Sequence, residues 1–472
     1  MTYSPPPGSI PTLGIPTMEG IGRVHLIGIG GVGMSGIARL LLARGISVTG
    51  SDLKASKHLD ELRAEGAKIF VGHRPEQIGD PDAVVVSTAI PERNPELMEA
   101  NRRGTPVLAR IQLLAALARG MKTFGISGTH GKTTTTSMLA VVLERTGSDP
   151  TYVIGGDLNE AGSGARHGEG SIFVAEADES DGSFLLLAPD VAVVTNVEED
   201  HLDFYRGGKE EIRTAFAEFL ARAAEAVVCG DDEGARAAME ASGCNAVTYG
   251  IGSGNAAVLR VGEASDGGAR GTLELDGEAV ELSLVVPGVH NLLNACAAML
   301  AARFAGIEAS AAAVCLRDFG GVRRRFEYKG SARGVDFYDD YAHHPTEITA
   351  TLRAARTRDH RRLVAVFQPH RYTRTQAMWR ALGEALAAAD VTVVTDVYGA
   401  GEDPIPGVTG KLAVDALAEA SPGKKLVYLP HRSDVARFLA SDVHPGDLVL
   451  TLGAGDITMV AEETLNRMRQ LG

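Results

Sequence analysis

The chain has little cysteine, few aromatic residues, a deficit of positive charge and no long apolar run, and each shortage narrows what it can be. Its 4 cysteines, Cys229, Cys244, Cys296 and Cys315, form no C-x-x-C pair and read as small core residues, which fits a reducing cytoplasm. Aromatics make up only 5% of a composition that is 44% hydrophobic and 22% charged, the profile of a soluble globular protein. Acids outnumber bases by 60 to 46, a formal net charge of -14. That balance argues against a surface that coats nucleic acid, though not against a local basic site. No stretch reaches the roughly 18 apolar residues that span a bilayer, so no membrane insertion is expected. The opening MTYSPPPGSIPTLGIPTMEG lacks the basic start and apolar core of a secretion signal. Its prolines and glycines suggest a loosely ordered arm over residues 1–20, to which no function is assigned.

What is abundant is alanine and glycine, with 56 glycines, as suits an α/β protein rich in strand-to-helix turns. A length of 472 residues is too great for one core and suggests about three domains. In residues 21–119, apolar runs such as RVHLIGI, ISVTGSD, AKIFVG and DAVVVSTAI alternate with amphipathic stretches, a doubly wound parallel pattern. A second strand, glycine loop and helix opens at KTFGISGTHGKTTTT and begins a segment over 120–322. Within it GTLELDGEAVELSLVVPG alternates about an Asp-Gly turn as a hairpin does, and an Ala-rich helix follows. After GVRRRFE, residues 323–472 return to short apolar strands and helices. The expected fold is therefore α/β in three domains, Rossmann-like at both ends with a phosphate-loop ATPase-like centre.

Two glycine loops compete to define the chemistry. HLIGIGGVGMSGIA places Gly28, Gly30 and Gly33 in a full G-x-G-x-x-G between strand and helix, with Asp52 about twenty residues on. Alone it would point to a nicotinamide dehydrogenase. GISGTHGKTTTT is more specific, although the first glycine of G-x-x-x-x-G-K-[ST] would fall on Ile126. Gly128 and Gly131 let backbone N–H groups turn toward a phosphate, Lys132 can reach the β- and γ-phosphates, and Thr133 can offer a hydroxyl to Mg²⁺. Hydride transfer has no use for a triphosphate site. A ligase that acts on a nucleotide-linked substrate with ATP needs both loops.

GTHGKTTTT resembles the Mur ligases and their folylpolyglutamate synthetase relatives. Together with GIGGVGMSGIA, EADESD, TNVEEDHLD, HNLLNA, DDYAHHPTEI and FQPHRYTRT it is similar to the alanine-adding branch of that family, over nearly the whole chain beyond the arm. The resemblance implies a cytoplasmic enzyme of peptidoglycan precursor synthesis, a monomer or weak homodimer. It would ligate L-alanine to UDP-N-acetylmuramate through an acyl-phosphate, with ATP as co-substrate and Mg²⁺ as cofactor. A murein tripeptide ligase of cell-wall recycling is the near alternative, and a non-catalytic UDP-sugar binder the remote one.

The resemblance also assigns residues. Gly28, Gly30, Gly31, Gly33 and Ser35 would hold the UDP-sugar, with His73 facing uracil unless it is merely a surface histidine. Gly128, Thr129, His130, Gly131, Lys132, Thr133 and Thr134 would cradle the ATP phosphates. In AEADESDGSF the crowded acids suit a metal better than a solvated turn, and Glu176 would be the ligand. In TNVEEDHLDFY the resemblance makes His201 a ligand of a second Mg²⁺, and Thr133 is the remaining metal-binding residue. Two related ligases carry a carbamylated lysine about fifteen residues beyond this histidine; here that offset falls on Phe216, so no such modification is expected. Asn291 and Asn294, on one helix face, would contact adenine, although capping explains them too. Arg325 would reach the ATP phosphates, Asp339 the ribose, and His343 the incoming amino acid. Arg371 and Arg374 would hold carboxylates. Lys132, His343, Arg371 and Arg374 form the expected catalytic set. The pieces must meet for reaction, so closure on ATP binding is expected.

Overall fold

The computed structural model describes residues 15–159, 164–202, 204–263 and 267–470. Residues 1–14 of the expected arm lie outside them, as does Asp203 in the second acidic loop. The chain divides into two compact units. One comprises Met1–Val261, Gly271–Leu282 and Leu293–Phe319; the other comprises Gly262–Arg270, Ser283–Leu292 and Gly320–Gly472.

The first unit opens with a parallel sheet of β1 (Arg23–Ile27), β2 (Ser47–Asp52), β3 (Lys68–Val71), β4 (Ala83–Val86) and β5 (Val107–Ala109). Their order is β3-β2-β1-β4-β5, so the direction of winding reverses between β1 and β4. Ligands of open α/β sheets bind at such a switch point, and the first glycine loop leaves β1 there. Behind it the helix Val32–Ala43 buries Met34, Ile37, Leu40 and Leu41 against Val24, Leu26 and Val48.

A larger sheet follows, made of β6 (Lys122–Ser127), β7 (Thr151–Val153), β8 (Ala165–Arg166), β9 (Ile172–Glu176) and β10 (Val191–Val194), then β11 (Glu225–Cys229), β12 (Ala246–Gly250), β13 (Ala257–Val261), β14 (Ala269–Leu275) and β15 (Glu278–Leu284). β6 lies between β9 and β10 and is parallel to both. These strands read as continuous apolar runs because both faces are covered: Phe124, Ile126, Phe173, Val174 and all of β10 are buried. The phosphate loop, the acidic strand end and the TNVEEDH loop therefore emerge side by side at one edge. Asp276 and Gly277, both at positive φ (53° and 82°), turn the β14–β15 hairpin.

The second unit carries β16 (Glu327–Ala332), β17 (Val335–Asp340), β18 (Arg362–Phe367), β19 (Val391–Val394), β20 (Lys425–Tyr428) and β21 (Asp447–Leu452). They are ordered β16-β17-β21-β18-β19-β20, parallel except for the antiparallel edge strand β16. Apolar layers cover both faces of the sheet, one around Leu363, Ala365 and Phe367, the other around Val364, Val366 and Val449.

Candidate active site

The first glycine loop is braced from below. The N–H groups of Gly28 and Ile29 donate to the Ser51 carbonyl at 2.8 and 3.1 Å, and Gly30 N–H donates to Asp52 Oδ2 at 2.9 Å. Asp52 therefore holds the loop itself, and the dinucleotide reading that made it a ribose ligand loses its acid. Gly31 caps the helix Val32–Ala43 without a side chain, and its first turn holds no acid, so its N–H groups suit an anion. Ser35 differs from expectation. It is buried, and its hydroxyl donates back to the Val32 carbonyl at 2.9 Å, away from the loop surface.

His73 is not a surface histidine; its side chain is only 10% exposed. Its Nδ1 lies 2.9 Å from Ser51 Oγ and 3.3 Å from Glu96 Oε2. Ser51 donates to the same carboxylate, His25 Nε2 approaches it at 3.5 Å, and Thr49 Oγ1 stands 2.7 Å from His25 Nδ1. Burial pushes the Glu96 carboxyl up, but these bonds, from His25 and Ser51 above all, hold it below its ordinary value. This buried cluster was missed by motif reasoning. The signal was His25, a polar residue centred in an apolar strand.

The second loop is clamped by its neighbours. Asn196 accepts from His130 N–H at 2.8 Å and donates to the His130 carbonyl at 3.0 Å; Thr195 Oγ1 donates to the same carbonyl at 2.6 Å. Thr129 N–H donates to the Asn196 carbonyl, and Thr129 Oγ1 accepts from Glu198 N–H at 2.8 Å. Gly131, at φ 83°, is obligatory twice over, since a Cβ there would stand 2.6 Å from Asn294 Oδ1. Asn294, buried on the helix Val289–Arg303, is thereby placed against the loop.

Lys132 folds over its own loop. Its ammonium donates to the Gly128 carbonyl at 2.6 Å, to Thr129 at 3.3 Å, and pairs with the buried Glu179 at 2.9 Å. Burial opposes the charge, yet Glu179, Asp178 and Glu176 raise its pKa, so it stays protonated. Thr133 Oγ1 donates to Glu176 Oε1 at 3.2 Å, while Gly155 N–H donates to Oε2 at 2.8 Å. Thr134 is buried in the same helical turn. Asp178 is driven to about 2, because Lys132, Arg110 and His201 outweigh the burial that would raise it. His201 is held at φ 54°, with its N–H on Asp200 Oδ1 at 2.8 Å and its Nε2 3.6 Å from Asp200 Oδ2. Phe216 packs in the core against Phe184.

In the second unit, the arginine that lies against the glycine turn after β21 is Arg324, one residue before the expected Arg325. Its guanidinium donates to the carbonyls of Gly453, Ala454 and Gly455 at 2.6, 3.3 and 3.1 Å and to Asp339 at 3.3 Å. Asp339 is fully buried and also accepts from Thr451 and Thr458 at 2.6 and 2.7 Å. An acid so enclosed positions Arg324 and offers no oxygen to a ribose. Arg325 instead lies over the Tyr341 ring and 3.6 Å from Glu347. Beside them burial, with Arg325, lowers the His290 imidazole to about 4.

His343 Nδ1 lies 2.9 Å from the Tyr341 carbonyl oxygen and 3.4 Å from Glu347 Oε2. Its ring is 5.4 Å from that of His370, and Arg374 Nη1 stands 3.3 Å from both His370 Nδ1 and its carbonyl oxygen. Arg371, at φ 69°, precedes the helix Tyr372–Leu386 and faces Glu402 at 4.0 Å. The structure therefore brings His343, His370 and Arg374 together. The Asn291 side chain donates to the Pro287 carbonyl at 2.7 Å.

Comparison with known proteins accords with this geometry. Residues 23–122 match the catalytic domain of the Mur ligase family, 126–302 the Mur ligase middle domain, and 324–455 the Mur ligase glutamate ligase domain. A UDP-N-acetylmuramate–L-alanine ligase of Saccharopolyspora erythraea is 50% identical over 457 residues, covering 94% of this chain and 92% of that one. Its counterpart from Rubrobacter xylanophilus is 48% identical over 94% of this chain and all (100%) of that one. Among solved structures, the UDP-N-acetylmuramate-alanine ligase of Thermotoga maritima superposes with a TM-score of 0.82 at 30% identity, covering 95% and 100% of the two chains. A murein peptide ligase from Psychrobacter arcticus gives 0.70 at 24% identity over 95% and 99%, a likeness of fold.

Proposed function

This chain belongs to the Mur ligase family, and from that premise we propose that it joins L-alanine to UDP-N-acetylmuramate at the expense of ATP, releasing ADP and phosphate. It would serve peptidoglycan precursor synthesis in the cytoplasm, as a monomer or weak homodimer that acts on small molecules and not on nucleic acid. Among the described residues no helix is long and apolar enough to cross a membrane.

The observation that carries this reading is the phosphate loop: Lys132 lies across the Gly128 carbonyl, and Thr133 bonds to Glu176 at the adjacent strand end. The sugar's lactyl carboxylate attacks the γ-phosphorus of ATP, forming an acyl-phosphate and releasing ADP. An amine cannot displace oxide from a carboxylate directly, because oxide is a very poor leaving group. The neutral amine of alanine then attacks the acyl carbon, and the tetrahedral intermediate collapses as phosphate leaves. Lys132 neutralises charge on the moving phosphoryl group. Asn294 takes the adenine side of the loop. His343 accepts the amine proton at Nε2, while Arg371 and Arg374 hold carboxylates. Asp339 holds Arg324 in place, and Arg325 is the arginine this reading assigns to phosphate. The N–H groups of Gly28, Gly30, Gly31 and Gly33 take the UDP diphosphate, and His73 the uracil.

Mg²⁺ fits the donors at the second loop. Thr133 and Glu176 offer hard oxygens at adjoining positions, His201 is the further ligand in this reading, and the ion when bound would supply charge neutralisation for the phosphates. The experiment is phosphate release from ATP with UDP-N-acetylmuramate, with and without L-alanine. Release that needs both, with tripeptide unable to replace alanine, is expected. Release with tripeptide alone would move the enzyme to recycling.

A further inference from the structure

One cation, Arg110, enters the account above only through its effect on Asp178. Arg110 opens the helix Arg110–Ala118, whose other residues are all buried. The helix is therefore anchored, and only the arginine side chain, 30% exposed, reaches out of it. Its Nη1 stands 2.5 Å from the point a Cβ on Gly33 would occupy. Gly33 lies in the uncapped, acid-free first turn of the helix Val32–Ala43, the turn whose N–H groups suit an anion. From the other side, Nη2 faces Asp178 Oδ2 at 3.7 Å.

Arg110 makes no hydrogen bond among the described residues, and Asp178 is its single acid within ion-pair distance. Several neighbouring arginines are committed. Arg39 bonds Glu61 and Glu65, Arg44 bonds the Leu117 carbonyl, and Arg102 and Arg103 share Glu99. A guanidinium is a planar fork built for two-point contact with phosphate oxygens. Here the fork lies over an anion-binding turn with its donors unspent, and the glycine beneath it leaves the space it occupies.

We propose that Arg110 binds the diphosphate of the UDP-sugar from the side opposite the glycine N–H groups, and that Asp178 is the positioning residue that holds it over Gly33. The inference rests on the ligase reading of the first loop and adds to it a side chain that selects for diphosphate. It also gives the third glycine of the motif a role, because the guanidinium occupies the space a side chain there would take. A methyl group would displace the guanidinium before it touched the ligand.

The test is calorimetric binding of UDP-N-acetylmuramate and UDP to the full chain without ATP, with uridine measured by competition. Arg110→Ala should weaken both diphosphates on the order of tenfold or more while leaving uridine unchanged. Arg110→Lys should recover part of the loss, and Asp178→Asn should show a smaller loss in the same direction. In turnover, the KM for the sugar should rise while the KM for ATP holds. An equal loss for uridine and UDP, or no loss at all, would overturn the assignment and leave the ligase reading standing. Wild-type protein that binds UDP no better than uridine would overturn both.

Discussion

The two glycine loops of the first unit begin alike and end differently. Both leave a parallel strand and enter a helix N-terminus, which is the generic solution for a phosphate. Around the first, the bracing groups are backbone carbonyls and a carboxylate below the loop, and the helix turn above is bare of acids. Around the second stand Lys132, Glu176, Asp178 and Glu179, with Asn196 and Thr195 clamping the loop from the next strand. The first arrangement can hold an intact diphosphate and do little to it. The second has the charges needed to stabilise a phosphoryl group in transit. A glycine motif therefore specifies a cradle; the side chains delivered by neighbouring strands decide whether it binds or reacts.

That contrast can be broken in graded ways. Removing divalent metal with EDTA should abolish ATP-dependent phosphate release while leaving UDP binding intact; a parallel loss of UDP binding would mean that the loops do not divide the work. Lys132→Ala should cut phosphate release on the order of 10²–10³-fold, with sugar affinity unchanged by calorimetry. Asn196→Ala removes both bonds to the His130 backbone. It should lower kcat roughly tenfold to a hundredfold at saturating sugar, whereas an unaltered kcat would show that Thr195 alone suffices. The smallest effect belongs to the first loop. Glu96→Gln should cost about 1–3 kcal/mol of stability and raise the sugar KM without touching ATP. Because the folded Glu96 carboxyl is held below its ordinary value of 4.5, its stabilisation is present above that pH and is lost as pH falls through the folded value. Denaturation of wild type and variant should therefore converge in acid and separate at neutral pH.

Both cradles and their strands were legible because glycine spacing, apolar runs and GKT are local signals. The Asp-Gly hairpin was legible for the same reason, since positive φ at both central residues demands that chemistry. The direction of side chains was not. Arg323, Arg324 and Arg325 are equivalent in a string, but left-handed residues at Arg324 and Phe326 redirect the chain and send Arg324 toward Asp339. The resemblance assigns Asp339 to the ribose, and Thr451 and Thr458, more than a hundred residues away, help to enclose it. Ser35 and Asp52 sat at motif positions yet serve their own backbone. Arg110 carried no motif at all; its meaning comes from Gly33, far away in sequence and adjacent in space.

The placement of β6 between β9 and β10 has a consequence for how competence is acquired. Ile126 is beside Glu176 and Ser127 beside Val194, so the loop's partners arrive only after pairings that span some 50 to 70 residues of chain. Closing such spans is the slow part of forming a sheet. Until they close, the lysine loop has no acid and no asparagine clamp beside it. A nascent or partly unravelled chain therefore cannot consume nucleotide idly, and the capacity to turn over ATP appears only when the central sheet is whole.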